Sequence, residues 1–228
     1  MTSLTTIHDS ERCCNETWEQ AYARFETPEQ EVEKFLQRLK WFGAQDWSRD
    51  ADIVELFCGR GNGLVALSQM GFTNLTGVDL SADLLKQYEG DAKTYVCDAR
   101  DLSLDDASQD IAIVQGGVHH LPDLPADLEQ SITEAKRILR PGGQLVMVEP
   151  WDTPFLRAVH AASANPLLRK LWGKLDAFQV LYENEHETYD NWLSRPTEIC
   201  GIIEKHFETT RIRTAWGKLY FLGTRVAA

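Results

Sequence analysis

Between residues 51 and 150 the chain alternates short apolar runs with stretches of helical periodicity. Residues 51–57 (ADIVELF) run into glycines, and residues 63–70 carry helical spacing that Gly71 closes. Further apolar runs at 75–78, 94–97, 111–114 and 144–148 are separated by helical patterns, the clearest over 82–88 and 128–139. The last of these sets Leu128, Ile132, Ala135, Ile138 and Leu139 on one face before Pro141-Gly142-Gly143 breaks it. Strands separated by helices of roughly 10–15 residues pair in parallel, with a helix crossing back each time. The rhythm predicts a doubly wound α/β sheet covered on both faces.

The flanks depart from that rhythm. Trp18, Tyr22 and Phe25 would line one face of a short helix. Thr27-Pro28-Glu29-Gln30 is a helix start, followed at helical spacing by Val32, Phe35, Leu36 and Leu39 up to Gly43. Residues 152–206 show helical periodicity only, and 208–226 alternate around Gly217 like a hairpin. One domain over 1–228 accounts for this: a helical cover at 1–50, a core at 51–150, a helical insertion at 151–206 and an antiparallel hairpin at 207–228. Seven strands result, mostly parallel.

Composition narrows the partners. With 43% apolar and 25% charged residues the chain is ordinary globular material. Its 35 acidic against 23 basic residues, net −12, disfavour a phosphate backbone as partner. Five cysteines (Cys13, Cys14, Cys58, Cys97, Cys200) form no CxxC pair, which argues against a disulfide framework or structural zinc. No secretory signal or membrane-spanning run is visible, so the reducing cytoplasm is the expected compartment.

The sharpest constellation is Glu55-Leu-Phe-Cys-Gly59-Arg-Gly61-Asn-Gly63, at the turn from first strand to first helix. Glycines there let a ligand approach the backbone at a helix start. Asp79 follows Gly59 by 20 residues, at the end of the second strand, where a carboxylate can accept both hydroxyl protons of a ribose. A dinucleotide is disfavoured, because the spacing is GxGxG and a pyrophosphate near Glu55 would be repelled by about 4 kcal/mol per charge pair. No Lys-Ser/Thr follows the glycines, which excludes Walker-type phosphate binding. Asp98, ending the third strand, can accept from a purine amine. The ligand so defined has ribose, adenine and a cationic amine or sulfonium, without phosphate.

That combination resembles the class I S-adenosylmethionine-dependent methyltransferases over about residues 51–150, with a family-like hairpin at 206–228. The segment 135–150, AKRILRPGGQLVMVEP, resembles that of the small-molecule, ubiquinone-biosynthesis-like branch. The resemblance implies a Rossmann-like methyltransferase fold with a helical lid, S-adenosylmethionine as cofactor and a small-molecule acceptor. It implies cofactor contacts from Glu55, Phe57, Gly59, Gly61, Asp79, Leu80, Asp98, Ala99 and Gln115. Phe57 stands where the family's loop usually has its first glycine, a feature shared with some nucleic-acid methyltransferases. No Asn/Asp-Pro-Pro-aromatic motif follows the fourth strand, and no Pro-Cys nucleophile pair is present.

A sulfonium-borne methyl is already activated, so the protein has to align a nucleophile and remove its proton where that is a hydroxyl. His119 and His120, in the loop after the fourth strand, are the candidate bases, with wall residues as the plainer reading. Tyr22, Glu149 and Trp151 are candidate acceptor contacts. The insertion's aromatics, Phe155, Trp172, Phe178, Tyr182, Tyr189 and Trp192, suit either a core or an aromatic or lipid-like acceptor. Glu183, Glu185, His186 and Glu187 lack metal-ligand spacing and read as a solvated face. Arg157 and Arg169 could pair with a substrate carboxylate or lie on the surface. An RNA methyltransferase and a non-catalytic cofactor-binding protein of this fold stay open.

Overall fold

The computed structural model describes residues 16–226; Cys13, Cys14 and the start of the expected cover lie outside them. Its strands are β1 (Ile53–Leu56), β2 (Leu75–Asp79), β3 (Lys93–Val96), β4 (Gln109–Gln115), β5 (Leu139–Pro150), β6 (Phe207–Ala215) and β7 (Lys218–Arg225). They form one seven-stranded sheet in the order β3-β2-β1-β4-β5-β7-β6. The first five run parallel, and β7 enters antiparallel between β5 and β6. Strand order reverses between β1 and β4, and ligands of open α/β sheets sit beyond the strand ends at that point.

Side-chain alternation in the strands builds two cores. On one face Ile53, Ile111, Ile113, Val146 and Val148 pack with helices α2 (Pro28–Trp41) and α3 (Asn62–Gln69) through Phe35, Leu39, Leu64 and Leu67. On the other, Val54, Leu56, Ala112, Val114, Leu145 and Met147 meet Leu128, Ile132 and Ala135 of α5 (Ala126–Ile138). The Thr27 signal is realised as a capping box: Thr27 Oγ1 accepts from Gln30 N (3.3 Å), and Gln30 Oε1 accepts from Thr27 N (3.2 Å). The Pro141-Gly142-Gly143 break appears as an irregularity inside β5, which pairs at Leu139 and resumes at Gln144. The helix expected over 82–88 is only α4 (Ala82–Leu85), because the chain then folds back so that Tyr88 Oη accepts from Ala92 N.

The expected insertion divides in two. Helices α6 (Pro154–Ser163), α7 (Pro166–Leu171) and α8 (Gly173–Leu193) form a roof together with α1 (Glu16–Phe25), through Arg24 to Asp176 (2.9 Å) and Phe25 against Phe178. Helix α9 (Pro196–His206) is no lid: Ile199, Ile202 and Ile203 join the core beside α5. Cys58, Cys97 and Cys200 are free thiols. Among the described residues no helix is long and apolar enough to cross a membrane.

Trp192 anchors the roof to the sheet. It is fully buried, its Nε1 donates to the carbonyl of Pro150 (2.7 Å), and Trp151 meets it edge to face. Trp192→Phe leaves that carbonyl buried without its donor and is expected to destabilise the chain by about 1–3 kcal/mol. A lower urea midpoint at unchanged m-value is the check.

Candidate active site

A cavity of about 1500 Å³ opens over the β1/β4 switch point, between the sheet's carboxyl ends and the roof. It exceeds the roughly 300–1,000 Å³ of one small-ligand site, leaving room for two ligands. Glu55, Phe57, Gly59, Asp79, Leu80, Asp98, Ala99, Gln115, His119, His120 and Tyr22, all singled out by sequence, line it. Gly61 stands beside that lining, Glu149 and Trp151 are outside it.

The loop after β1 reverses tightly into α3. Gly61, its N-cap, has φ +77°, a left-handed conformation that favours glycine. A Cβ at Gly63 would fall 1.9 Å from a Glu55 carboxylate oxygen, so only glycine lets the helix start this close to that acid. Phe57 also adopts positive φ (57°), which for a bulky residue is strained. The position where a glycine is usual does require a glycine-like backbone.

Glu55 is buried, with Oε1 accepting from Gln115 Nε2 (3.4 Å); Glu55 Oε2 and Gln115 Oε1 are both buried without a partner. Loss of solvation pushes the Glu55 carboxyl up to about 8. Asp79 accepts from Gly59 N (2.7 Å) and Ser81 N (2.8 Å), and burial also raises its pKa. Asp98 takes four hydrogen bonds of 2.7–3.1 Å from Arg100, as many as its lone-pair sites. Burial opposes its charge, but the bonds from Arg100 outweigh it and hold the carboxyl below the usual range. Its place in the cavity agrees with the sequence reading, while its hydrogen-bonding capacity is already committed.

Two acceptor candidates are corrected. Alternation along β5 turns Val148 and Pro150 to the cavity and Glu149 away from it. Glu149, fully buried, instead holds the turn Val118–His120 from behind: Oε1 accepts from Gly117 N (2.8 Å) and Val118 N (3.2 Å), and Oε2 lies 2.7 Å from His119 Nδ1. Burial opposes the Glu149 charge, yet the facing imidazole and backbone donors keep its pKa low. Trp151 packs against Trp192 and the core because its backbone is tied to Gly217 (Trp151 N to Gly217 O, 2.9 Å). Arg157 pairs with Asp152 on the surface, and Arg169 with Asp176.

His119 and His120 face the cavity with ring centroids 4.0 Å apart. Burial alone would discharge His119, but Glu149 and Glu185 raise its pKa; His120, half-buried, is pushed down to about 4 by loss of solvation and by its neighbour His119. Glu185 is the residue that sequence reasoning misplaced. It does not face solvent: Oε2 is 3.8 Å from His119 Nε2, and the Trp18 indole N–H donates to Oε1. Despite desolvation, His120, His119 and Trp18 bring its carboxyl down to about 2. The signal was present, since Phe178, Tyr182, Glu185 and Tyr189 step by four, three and four along the face of α8 that lines the cavity. Glu31 was also missed; it accepts from the Tyr22 hydroxyl and from Asn62 Nδ2 (2.6 Å), joining α1, α2 and α3.

A doubly wound sheet with this strand order, a glycine loop after β1 and acids near the ends of β1, β2 and β3 is the arrangement that the sequence resemblance implies. Residues 54–147 match the family model described as a methyltransferase domain. The chain is 29% identical over 150 residues to a demethylmenaquinone methyltransferase of Desulfitobacterium hafniense, covering 59% of this chain and 58% of that protein. The demethylmenaquinone methyltransferase of Lactiplantibacillus plantarum is 29% identical over 177 residues, covering 70% of this chain and 73% of the relative. The chain spans about half the length of the first curated relatives it matches, 58%, 30% and 52%. The crystal structure of the PH0226 protein from Pyrococcus horikoshii OT3 superposes with TM-score 0.69 at 18% identity, covering 93% of this chain and all (100%) of that one, a likeness of fold. Over residues 54–147 the chain is similar to methyltransferase domains, and its likeness to the solved structures is one of fold.

Glu55 makes the ligand-free protein pH-sensitive. Its folded pKa of about 8 lies above the ordinary 4.5, so between those values the unfolded chain holds fewer protons and stability falls as pH rises. The slope reaches at most about 1.4 kcal/mol per pH unit. Melting temperatures from pH 5 to 8 are expected to decline less steeply in Glu55→Gln than in the wild type; parallel curves would refute the assignment.

Proposed function

We propose that the chain transfers a methyl group from S-adenosylmethionine to an apolar, aromatic or lipid-like small molecule. The observation that carries this reading is the pair of unpartnered buried acceptors, Glu55 Oε2 and Gln115 Oε1, beside the Gly63 contact that no Cβ could occupy. Two acceptors without donors fit an ammonium group, and Asp79 in the same cavity fits a ribose. S-adenosylmethionine brings such groups and supplies a methyl on a sulfonium. Glu55 and Gln115 hold the amino acid end, Asp79 the ribose, and Gly59, Leu80 and Ala99 shape the walls, with Gly61 turning the loop behind them.

The acceptor half is formed by the roof. Phe25, Phe155, Trp172, Phe178, Tyr182 and Tyr189 line it, and Phe155 and Trp172 are partly open at its rim. Those rings suit an apolar acceptor, as the demethylmenaquinone relatives' names suggest. An open cavity favours turnover over a purely binding role, and an aromatic rim favours a small molecule over RNA. His119 and His120 stand where the acceptor's proton leaves, with Glu149 positioning His119.

Asp79→Ala is expected to weaken S-adenosylmethionine binding several-fold or more by calorimetry, and unchanged affinity removes the ribose contact. At pH 7 Glu55 without ligand is mostly protonated, so docking an ammonium against it releases about one proton. Binding heats in buffers of different ionisation enthalpy should reveal that proton in the wild type and not in Glu55→Gln. Alanine at His119 or His120 is expected to lower turnover by about a hundredfold or more with cofactor affinity kept; near-normal rates in both would sink their placement.

A further inference from the structure

We infer that His119, His120 and Glu185 bind a divalent first-row transition ion at the acceptor end of the cavity, a site that deepens the methyl-transfer reading and rests on it. One ring nitrogen of each histidine and one carboxylate oxygen of Glu185 lie within 4.8 Å of one another. The three come from two elements facing each other, the turn Val118–His120 and helix α8.

The surroundings orient each ligand. Glu149 Oε2, 2.7 Å from His119 Nδ1, holds that side of the ring and turns Nε2 toward Glu185. A carboxylate on the far nitrogen of a histidine is the usual support of a metal ligand. The Trp18 indole occupies Glu185 Oε1 and leaves Oε2 turned to the histidines. At 3.8 Å, His119 Nε2 and Glu185 Oε2 are too far apart for a hydrogen bond. Two ligands sharing one ion at about 2.0–2.2 Å each stand roughly 3–4 Å apart, so this spacing suits a shared ion better than a closed ion pair.

Two imidazoles and one carboxylate favour zinc, iron, manganese or nickel over magnesium or calcium. Three protein ligands leave coordination positions open, as catalytic rather than structural sites do. The acceptor this selects offers an oxygen donor beside an aromatic or apolar body. A hydroxyl reaching the ion becomes more acidic, its proton passing to water. The oxygen's electron pair then forms the O–CH₃ bond, and the S–CH₃ pair stays on sulfur.

The test needs no acceptor. Chelator-stripped protein is dialysed against Zn²⁺ and, separately, Co²⁺, with metal content and cobalt visible absorption as readouts. About one equivalent per chain is expected. His120→Ala and Glu185→Gln, on different elements, should each lose tenfold or more in affinity, and Glu149→Gln roughly 10–100-fold. His186→Gln, an exposed histidine on the same helix, should bind as the wild type does. Circular dichroism confirms that each variant is folded. No stoichiometric binding by the wild type, or wild-type affinity in both His120→Ala and Glu185→Gln, overturns the site. S-adenosylmethionine affinity, measured on the same preparations, separates the two readings: cofactor bound without metal overturns the ion site alone, while failure to bind cofactor overturns the methyl-transfer reading beneath it.

Discussion

One buried carboxylate organises the centre of this molecule. Glu149 ends β5 inside the sheet's lower core, where an unpaired charge would cost several kcal/mol. It is tolerable because two backbone N–H groups and an imidazole converge on it. Those three donors lie in one turn, so satisfying the charge fixes the path of the chain after β4. The fixed turn brings Gly117 so close to Phe57 that a Cβ there would sit 2.3 Å from the ring. The loops beyond β1 and β4 are thereby interlocked across the switch point, and Phe57 is held in its left-handed backbone.

Glu55 and Glu149 are the same residue type at the ends of strands that flank β4, on opposite faces of the sheet. Their ionisation differs because their donors differ. Three donors converge on Glu149 and lower its pKa against burial; on Glu55 the Gln115 amide and the backbone at Leu64 do not offset burial, and its pKa is raised. Buried carboxylates that already have their donors serve structure, whereas one left short of donors has affinity in reserve for a cation. The contrast separates an acid that fixes the turn after β4 from one whose burial is left uncompensated.

Much of the fold was legible because it follows from periodicity. Alternating strands and helices, the Thr27 cap and the terminal hairpin all depend on local pattern, and the glycine loop and Asp79 lie where their spacing put them. Side-chain direction was less legible. Glu149 and Trp151 sit at the correct strand end, but the alternation of β5 and the Gly217 backbone bond turn them from the cavity. Asp98 was placed correctly, yet Arg100, two residues on, takes its lone pairs. Glu185 looked solvated among charged neighbours, and only the 178-182-185-189 spacing on α8 marked it as inward. Whether α9 covers the cavity or the sheet depends on tertiary packing that the helical pattern alone does not contain.

The site is also divided between two bodies. The sheet contributes Glu55, Asp79 and the turn with His119 and His120; the roof contributes Glu185, the aromatic wall and, through α1, Trp18 and Tyr22. Among the described residues, three polar contacts that tie α1 to other elements are Trp18 to Glu185, Tyr22 to Glu31 and Arg24 to Asp176. Two of the three end on residues of the cavity wall. Any ligand that draws on Glu185 or Glu31 therefore also acts on the position of α1, the helix lying across the cavity. Because Arg24 and Asp176 are partly exposed, that remaining ion pair adds little. The side chains that tie α1 to α8 and to α2 are thus themselves residues of the cavity wall.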